Sequence, residues 1–215
     1  MKLLALALSL PLLAVCVALV PVKHRFEVSD RPSERAVLAA HRDPTPSDAV
    51  KLASSANGPF RFSGEDDGVL SIVRADGSLV ASGVNVPADR SAHTTGLVFN
   101  AGKGFVIEQR GRSAPARFLF VSLDGRIFGW NPDVDPANAI ECVDNGPEGA
   151  AFTSAALAID AGAPTLYVAN FANGTVDVFD KHFHEAGSFS DEHAPRGWSP
   201  FGIATIGNKL HVTFV

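Results

Sequence analysis

The stretch Ala155–Asp180 reads AALAIDAGAPTLYVANFANGTVDVFD, and turn residues divide its apolar positions into three short runs. Ala156–Ile159 is followed by Ala161-Gly162-Ala163-Pro164. Leu166–Ala169 is followed by Asn173-Gly174, and Thr175–Phe179 closes the segment. Asn-Gly between β-rich runs signals a hairpin, because both positions of a two-residue type I′ turn need positive φ. The stretch predicts a small antiparallel meander with Asn173 and Gly174 as a two-residue turn.

Working outward, the same grammar recurs. Val69–Val73 and Leu79–Val84 flank Asp76-Gly77, and Arg117–Val121 and Arg126–Trp130 flank Asp124-Gly125. Gly96–Phe99 and Gly104–Ile107 read as two strands joined through Asn100-Ala101-Gly102, and Ala139–Val143 as another. Phe201–Ala204, a turn at Gly207-Asn208, and Lys209–Val215 finish the chain. The hairpin glycines Gly77, Gly125 and Gly174 recur at intervals of 48 and 49 residues. A four-stranded unit of roughly 40–50 residues is the size of a β-propeller blade, which buries its faces only against its neighbours. The expected fold is all-β: a partial, about three-bladed β-propeller sector of four-stranded antiparallel blades spanning 65–215, short of the four to eight blades of a closed ring. The last strand reaches Val215 without a turn or polar cap, which suggests a fragment, a truncated product or half of an assembly.

Composition narrows the class. The chain has 215 residues, 46% hydrophobic and 19% charged, with a formal net charge of −5, which suits a globular protein and offers no basic stripe for nucleic acid. Arg110, Arg112 and Arg117 are the nearest thing to a cationic cluster, and they surround a Gly/Ser/Pro turn that reads as a solvated loop. Residues 1–22, MKLLALALSLPLLAVCVALVPV, place one lysine before a long apolar run, the pattern of a signal peptide or membrane-anchoring apolar helix. Export, to the periplasm or outside the cell, is the expectation, with residues 1–22 as the membrane tether if uncleaved. Residues 23–64 form a polar, proline-punctuated lead-in arm with a short helix over Ser33–His41 and room for a degenerate first-blade strand. With Cys16 in the leader, Cys142 is alone in the mature chain and reads as a buried, inert thiol.

The runs ARFLFVSLDGRIFGWNPDVDPANAI (Ala116–Ile140), LYVANFANGTVDVFDKHF (Leu166–Phe183) and GSFSDEHAPRGWSPFGIATIGNKLHVTFV (Gly187–Val215) resemble an exported bacterial family found in genomes with the PEP-CTERM sorting system. Thr95–Asn100 fits as well. The resemblance covers residues 24–215 and implies a six-bladed-type propeller related in shape to NHL-repeat proteins, in a chain roughly twice this long. It implies no activity. The family pattern of Asn-Pro-Trp-Gly and Trp-Val-Ser-Asp-Asn-Gly is replaced here by Thr45-Pro46-Ser47-Asp48 and Arg61–Asp66, so the first blade is expected to be degenerate.

Chemistry-bearing residues are scattered. His182 and His184 flank Phe183, with Glu185 and His193 nearby; alternation along a strand would put both rings on one face, yet a third, oriented metal ligand is missing and the segment reads as polar loop. Asn131, Asp133 and Asp135 have the odd spacing of a calcium loop, but Pro136 stands where the loop needs glycine and Cys142 where it needs glutamate, so an Asx-type turn explains them. Asp124, Asp177 and Asp180 lie beside turns or on polar strand faces, with nothing to pair any two for acid–base work. Trp130 and Trp198 each precede a proline or nearly so and read as packing residues. Accordingly no catalytic, cofactor-binding or metal residue is assigned. The leading expectation is a non-enzymatic exported binding or scaffold module that meets a protein or carbohydrate ligand through its blade loops. The competing classes are a metal-dependent, lactonase-like propeller hydrolase and a non-functional truncated product.

Overall fold

Phe118–Ser122, FLFVS, is buried at every residue, and Arg126–Trp130, RIFGW, at all but the first. A strand apolar on both sides has to be covered on both faces. The computed structural model, which describes residues 16–21, 27–28, 60–64, 69–87, 93–207 and 209–215, shows how. The strands in chain order are β1 (Cys16–Pro21), β2 (Glu27–Val28), β3 (Phe60–Gly64), β4 (Val69–Arg74), β5 (Leu79–Asn85), β6 (Thr94–Phe99), β7 (Val106–Gln109), β8 (Arg112–Pro115) and β9 (Phe118–Ser122). They continue with β10 (Arg126–Trp130), β11 (Ile140–Asp144), β12 (Phe152–Asp160), β13 (Ala163–Asn170), β14 (Thr175–Phe179), β15 (Glu185–Phe189), β16 (Pro200–Ile206) and β17 (Lys209–Phe214).

Among the described residues these strands form a three-stranded sheet β3-β4-β5, four-stranded sheets β6-β9-β10-β11 and β12-β13-β14-β15, a sheet β16-β17-β1-β2, and the hairpin β7-β8. Every strand pair is antiparallel. Alternation sends each strand's residues to two different cores. Leu97, Phe118, Phe120, Phe128 and Trp130 pack with Phe62, Leu70, Ile72 and Val84 of β3–β5. Their neighbours Val98, Leu119, Val121 and Ile127 pack the other way, on Phe152, Leu166, Val168 and Phe179. The far face of β12–β15 then meets β16–β17 through Ala156, Tyr167, Val176, Ile203, Leu210 and Val212.

The first strands of successive sheets run alongside one another in parallel. Thr95 Oγ1 donates to the Phe152 carbonyl at 2.6 Å, Thr153 Oγ1 to that of Phe201 at 2.7 Å, and Thr205 Oγ1 to that of Leu157 at 2.9 Å. These hydroxyls reach carbonyls on the inner edge strands β12 and β16, beside which no further strand is hydrogen-bonded among the described residues. Gly96 permits the approach: a Cβ there would lie 2.8 Å from a Val121 methyl and 3.2 Å from the Ala155 nitrogen. Up-and-down antiparallel sheets packed face to face, with their first strands side by side, make a propeller-like sector.

Several expectations are corrected. Gly104–Ile107 is not a partner of β6; the chain leaves β6, makes the β7–β8 hairpin, and returns as β9, which pairs with β6. Asn100 shapes the departure, its buried amide donating to the carbonyls of Gly104 and Ala116. Asn173-Gly174 is not a two-residue turn, since residues 171–174 all lie between β13 and β14 and, of that pair, Gly174 has positive φ (68°) while Asn173 does not. Among the described residues, Arg110-Gly111 (51° and 76°) and Ala161-Gly162 (48° and 84°) are two-residue turns with both φ positive. The expected apolar helix over residues 1–22 does not extend to its end: Cys16–Pro21 is strand β1, in register with β17 from Cys16↔Phe214 to Pro21↔Lys209. Val17 and Val20 suit a strand, and β17 offers an edge, so the last strand is paired rather than bare. Residues 1–15, like the Ser33–His41 helix and Asn208, lie outside the described residues. Among the described residues no helix is long and apolar enough to cross a membrane.

Candidate functional site

Antiparallel order fixes which loops share an end. The first strand of each sheet leaves one end, so the turn between the second and third strands and the connection to the next sheet both return to it. Gly77, Gly125 and Gly174 are all in such second-to-third-strand turns, with φ of 85°, 78° and 68°. The regular glycine spacing is thus the spacing of equivalent turns on one face of the sector.

Around Gly125 this face is knitted by charge. Ser122 donates its hydroxyl to the Asp124 carboxylate, and Arg126 meets three carboxylates: Asp124 at 3.3 Å, Glu141 at 3.5 Å and Asp144 at 3.3 Å. Asp144 accepts the Gly146 N–H at 3.0 Å, which ties the β11–β12 connection and its single 3-10 turn, Gly146–Glu148, to the group. The next turn is organised around Asn170 and Asp177, 1% and 5% exposed. Asn170 Nδ2 donates to Asp177 Oδ2 at 2.8 Å, and Thr175 Oγ1 donates to Asp177 Oδ1 at 2.7 Å. Asn170 Oδ1 accepts the Ala151 N–H at 3.1 Å and that of Asn173 at 3.4 Å. A buried carboxylate is tolerated because each oxygen has a donor.

These networks hold out apolar side chains. Leu123 and Phe171 follow the last residues of β9 and β13, and are 43% and 40% exposed; Phe201, near the start of β16, is 49% exposed. The Phe171 and Phe201 rings meet edge to face, centroids 6.2 Å apart. The Phe171 N–H donates to the Ala151 carbonyl at 2.9 Å, so the ring is carried by backbone that is itself pinned.

The residues singled out from sequence lie elsewhere or apart. Asp124 and Asp177 sit in separate networks on neighbouring sheets, and Asp180 is at the opposite end, after β14. Its carboxylate accepts the N–H groups of His182 at 2.7 Å and His184 at 3.0 Å; burial, the largest single influence, raises its pKa, but these donors together with the neighbouring imidazoles leave it below the usual range. His182 and His184 belong to this loop rather than to a strand, and both are exposed. Asn131 and Asp135 make Asx-type bonds to the N–H groups of Asp133 and Ala137, each at 2.9 Å, as the turn reading requires. The Ala137 and Asn138 donors lower the Asp135 pKa. Arg110, Arg112 and Arg117 are exposed. Cys142 is half-buried and burial pushes its thiol up to about 12. Trp130 is in the core and Trp198 is half-buried against β12–β17 packing. Among the described residues no group of three or more His, Cys, Asp or Glu side chains is arranged to hold a metal ion. The Arg126 cluster and the Phe171–Phe201 pair were not singled out from the sequence: their members are 18 and 30 residues apart, and only topology brings them together.

No family model matches the chain. It is 32% identical over 117 residues to an uncharacterized protein of Acanthamoeba polyphaga mimivirus, covering 52% of this chain and 21% of that one. A second uncharacterized protein of the same virus is 25% identical over 189 residues, covering 85% of this chain and 47% of its own length. A third is 25% identical over 187 residues, covering 84% and 50%. The chain therefore spans half or less of the curated relatives it matches. Among solved structures it is similar to virginiamycin B lyase from Staphylococcus aureus, at 10% identity and a TM-score of 0.43, covering 73% of this chain and 48% of that one. It is also similar to regucalcin, a calcium-binding protein from Agrobacterium tumefaciens, at 13% identity and a TM-score of 0.33, covering 70% and 61%.

Proposed function

We propose that this chain is the propeller-type part of an exported protein, as the PEP-CTERM-associated family resemblance implies, that it serves as a non-enzymatic binding or scaffold module, and that its ligand is a protein or a carbohydrate. The contact face is the one that carries Gly77, Gly125 and Gly174. The observation that carries this reading is the Phe171–Phe201 pair, two large apolar side chains left 40% and 49% exposed, one opening the β13–β14 turn and the other near the start of β16, with their rings edge to face. Apolar side chains that are exposed and in mutual contact, unlike singly exposed ones, are the kind of surface that marks an interaction site.

Comparing the unmodified chain with the Phe171→Ala/Phe201→Ala double variant tests this, using an immobilised glycan array and peptide probes, with metal content measured on the same preparation. The reading expects ligand binding that depends on the phenylalanine pair. A calcium or zinc ion retained stoichiometrically after dialysis, together with ester or lactone hydrolysis, would overturn the non-enzymatic reading. Export is tested separately by fractionating cells that express the full chain; recovery in the cytosol alone would refute it.

A further inference from the structure

The surroundings of the phenylalanine pair narrow the ligand class, on the reading that this face is the binding face. Phe171 lies between two connections. Residues 145–151 are attached to it through the Ala151 carbonyl, and residues 190–199 run up to Phe201, with Ser199 bonded through both backbone groups to Val215. The first connection carries exposed Glu148, and the second carries exposed Glu192 and Arg196 together with Asp191, whose carboxylate lies 3.4 Å from the exposed His193 ring. Beyond the first connection lie Asp144 and Glu141, which share Arg126 with Asp124. A Cβ on Gly125 would lie 2.7 Å from the Ala150 carbonyl, so the Arg126 turn is packed directly against this connection. Leu123 on the β9–β10 turn, Glu148 on the β11–β12 connection, Phe171 on the β13–β14 turn, and Glu192 and Phe201 at the β15–β16 connection thus share one end of the sector, which forms the rim.

We infer that this rim receives a cationic, extended protein segment in which Arg or Lys alternates with aliphatic residues. Aliphatic side chains would cover the exposed edges of Phe171 and Phe201, and the intervening cations would lie over the ring faces and between the carboxylates of Glu148 and Glu192. The chain's overall charge of −5 adds long-range attraction of the same sign. An acidic segment would meet like charge at both connections, and a neutral sugar would leave the carboxylate surplus unused.

Fluorescence anisotropy on the full chain separates these cases with three labelled probes: an Arg-Leu alternating peptide, a Glu-Leu peptide of equal length, and a neutral oligosaccharide. The expected result is binding of the Arg-Leu probe, weakened at least about tenfold by Phe171→Ala/Phe201→Ala. Glu148→Gln/Glu192→Gln should weaken it by about threefold, a loss that disappears at high salt. Matching thermal melts of each variant and the parent separate lost contact from lost folding. Arg-Leu binding indifferent to the phenylalanine pair, or equal binding of the Glu-Leu probe, overturns the inference. Phenylalanine-dependent binding of the oligosaccharide alone also overturns it, yet leaves the face as the binding face. If no probe depends on the pair, both the inference and the binding-face reading fall.

Discussion

At the residue scale, glycines with similar φ separate backbone strain from steric conflict. Gly77 and Gly125 occupy equivalent turns at φ 85° and 78°, but a Cβ on Gly77 meets nothing within 4 Å while one on Gly125 would lie 2.7 Å from a carbonyl and 2.9 Å from Ala150 Cβ. Gly77→Ala is expected to cost about 1 kcal/mol, the left-handed penalty alone. Gly125→Ala should cost about 3 kcal/mol, because the Ala150 backbone has to move as well. Urea unfolding midpoints of the two variants check this; equal losses would show that the β11–β12 connection yields freely. Tyr167 supplies a pH test. It is buried, its hydroxyl donates to Asp160 at 3.1 Å, and burial, then the Asp160 charge, raise its pKa above the ordinary value of about 10. Above that pH the unfolded chain releases a proton that the folded chain retains, so the hydroxyl's contribution is intact below about pH 10 and is lost as pH rises further. Stability measured from pH 8 to 11 should fall more steeply in the parent than in Tyr167→Phe, and parallel curves would sink this assignment. Cys142, with its pKa pushed up to about 12, should likewise resist thiol reagents at pH 8 until the protein is unfolded.

At the scale of single elements, the β13–β14 turn shows what holds the loop face in shape. Asn170 serves three partners through its side chain, Asp177, which accepts from its amide, and the Ala151 and Asn173 N–H groups, which donate to its oxygen, while its backbone pairs with Phe152 on one side and Thr175 on the other. Asn170→Ala removes the side-chain partners and takes the donor from one oxygen of buried Asp177, leaving the Thr175 hydroxyl on the other, so a loss of about 2–3 kcal/mol is expected. Asp177→Asn retains the shape and removes the charge, and should cost less than Asn170→Ala; the reverse order in chemical denaturation would mean that the charge, not the Asn170 bridge, organises the turn. The sequence shows this element only in part. Its strands are legible because Leu166–Ala169 and Val176–Phe179 are apolar and β-rich. The turn is not, because Asn-Gly has the right letters for a two-residue loop while the choice between loops depends on where Asn170 finds its partners. Arg110-Gly111 and Ala161-Gly162, which do make two-residue turns, lack that signature. β15 is harder still: Glu185–Phe189 is exposed at four of its five residues, so an outermost strand leaves almost no hydrophobic alternation to read. The β7–β8 hairpin was missed because Val106 and Ile107 fit a strand of either sheet, and only the buried Asn100 amide diverts the chain before them.

At the scale of the whole molecule, stability should be graded along the sector rather than uniform. The 48- and 49-residue glycine spacing revealed repeated units, but not how strongly each pair of sheets is joined, which depends on side-chain size at facing positions. The interface between β3–β5 and β6/β9–β11 is built from Phe62, Phe118, Phe120, Phe128 and Trp130. The interface between β12–β15 and β16–β17 relies on smaller groups, with Ala156, Ala158 and Ala169 among its members. Apolar burial stabilises in proportion to area, and in stacked units each interface contributes separately. The two tryptophans report on these regions independently: Trp130 lies within the first interface and Trp198 packs against the second. Single-tryptophan variants, Trp198→Phe to isolate Trp130 and Trp130→Phe to isolate Trp198, are compared by fluorescence during urea unfolding. Because Trp130→Phe itself removes core volume, each trace is referenced to far-UV circular dichroism of the same variant. The Trp198 signal is expected to change at lower urea than the dichroism, whereas the Trp130 signal should coincide with it or follow it. Coincidence of signal and dichroism in both variants would show that the sheets unfold as one cooperative unit, and that the threonine bridges between neighbouring first strands couple them more strongly than the difference in core size separates them.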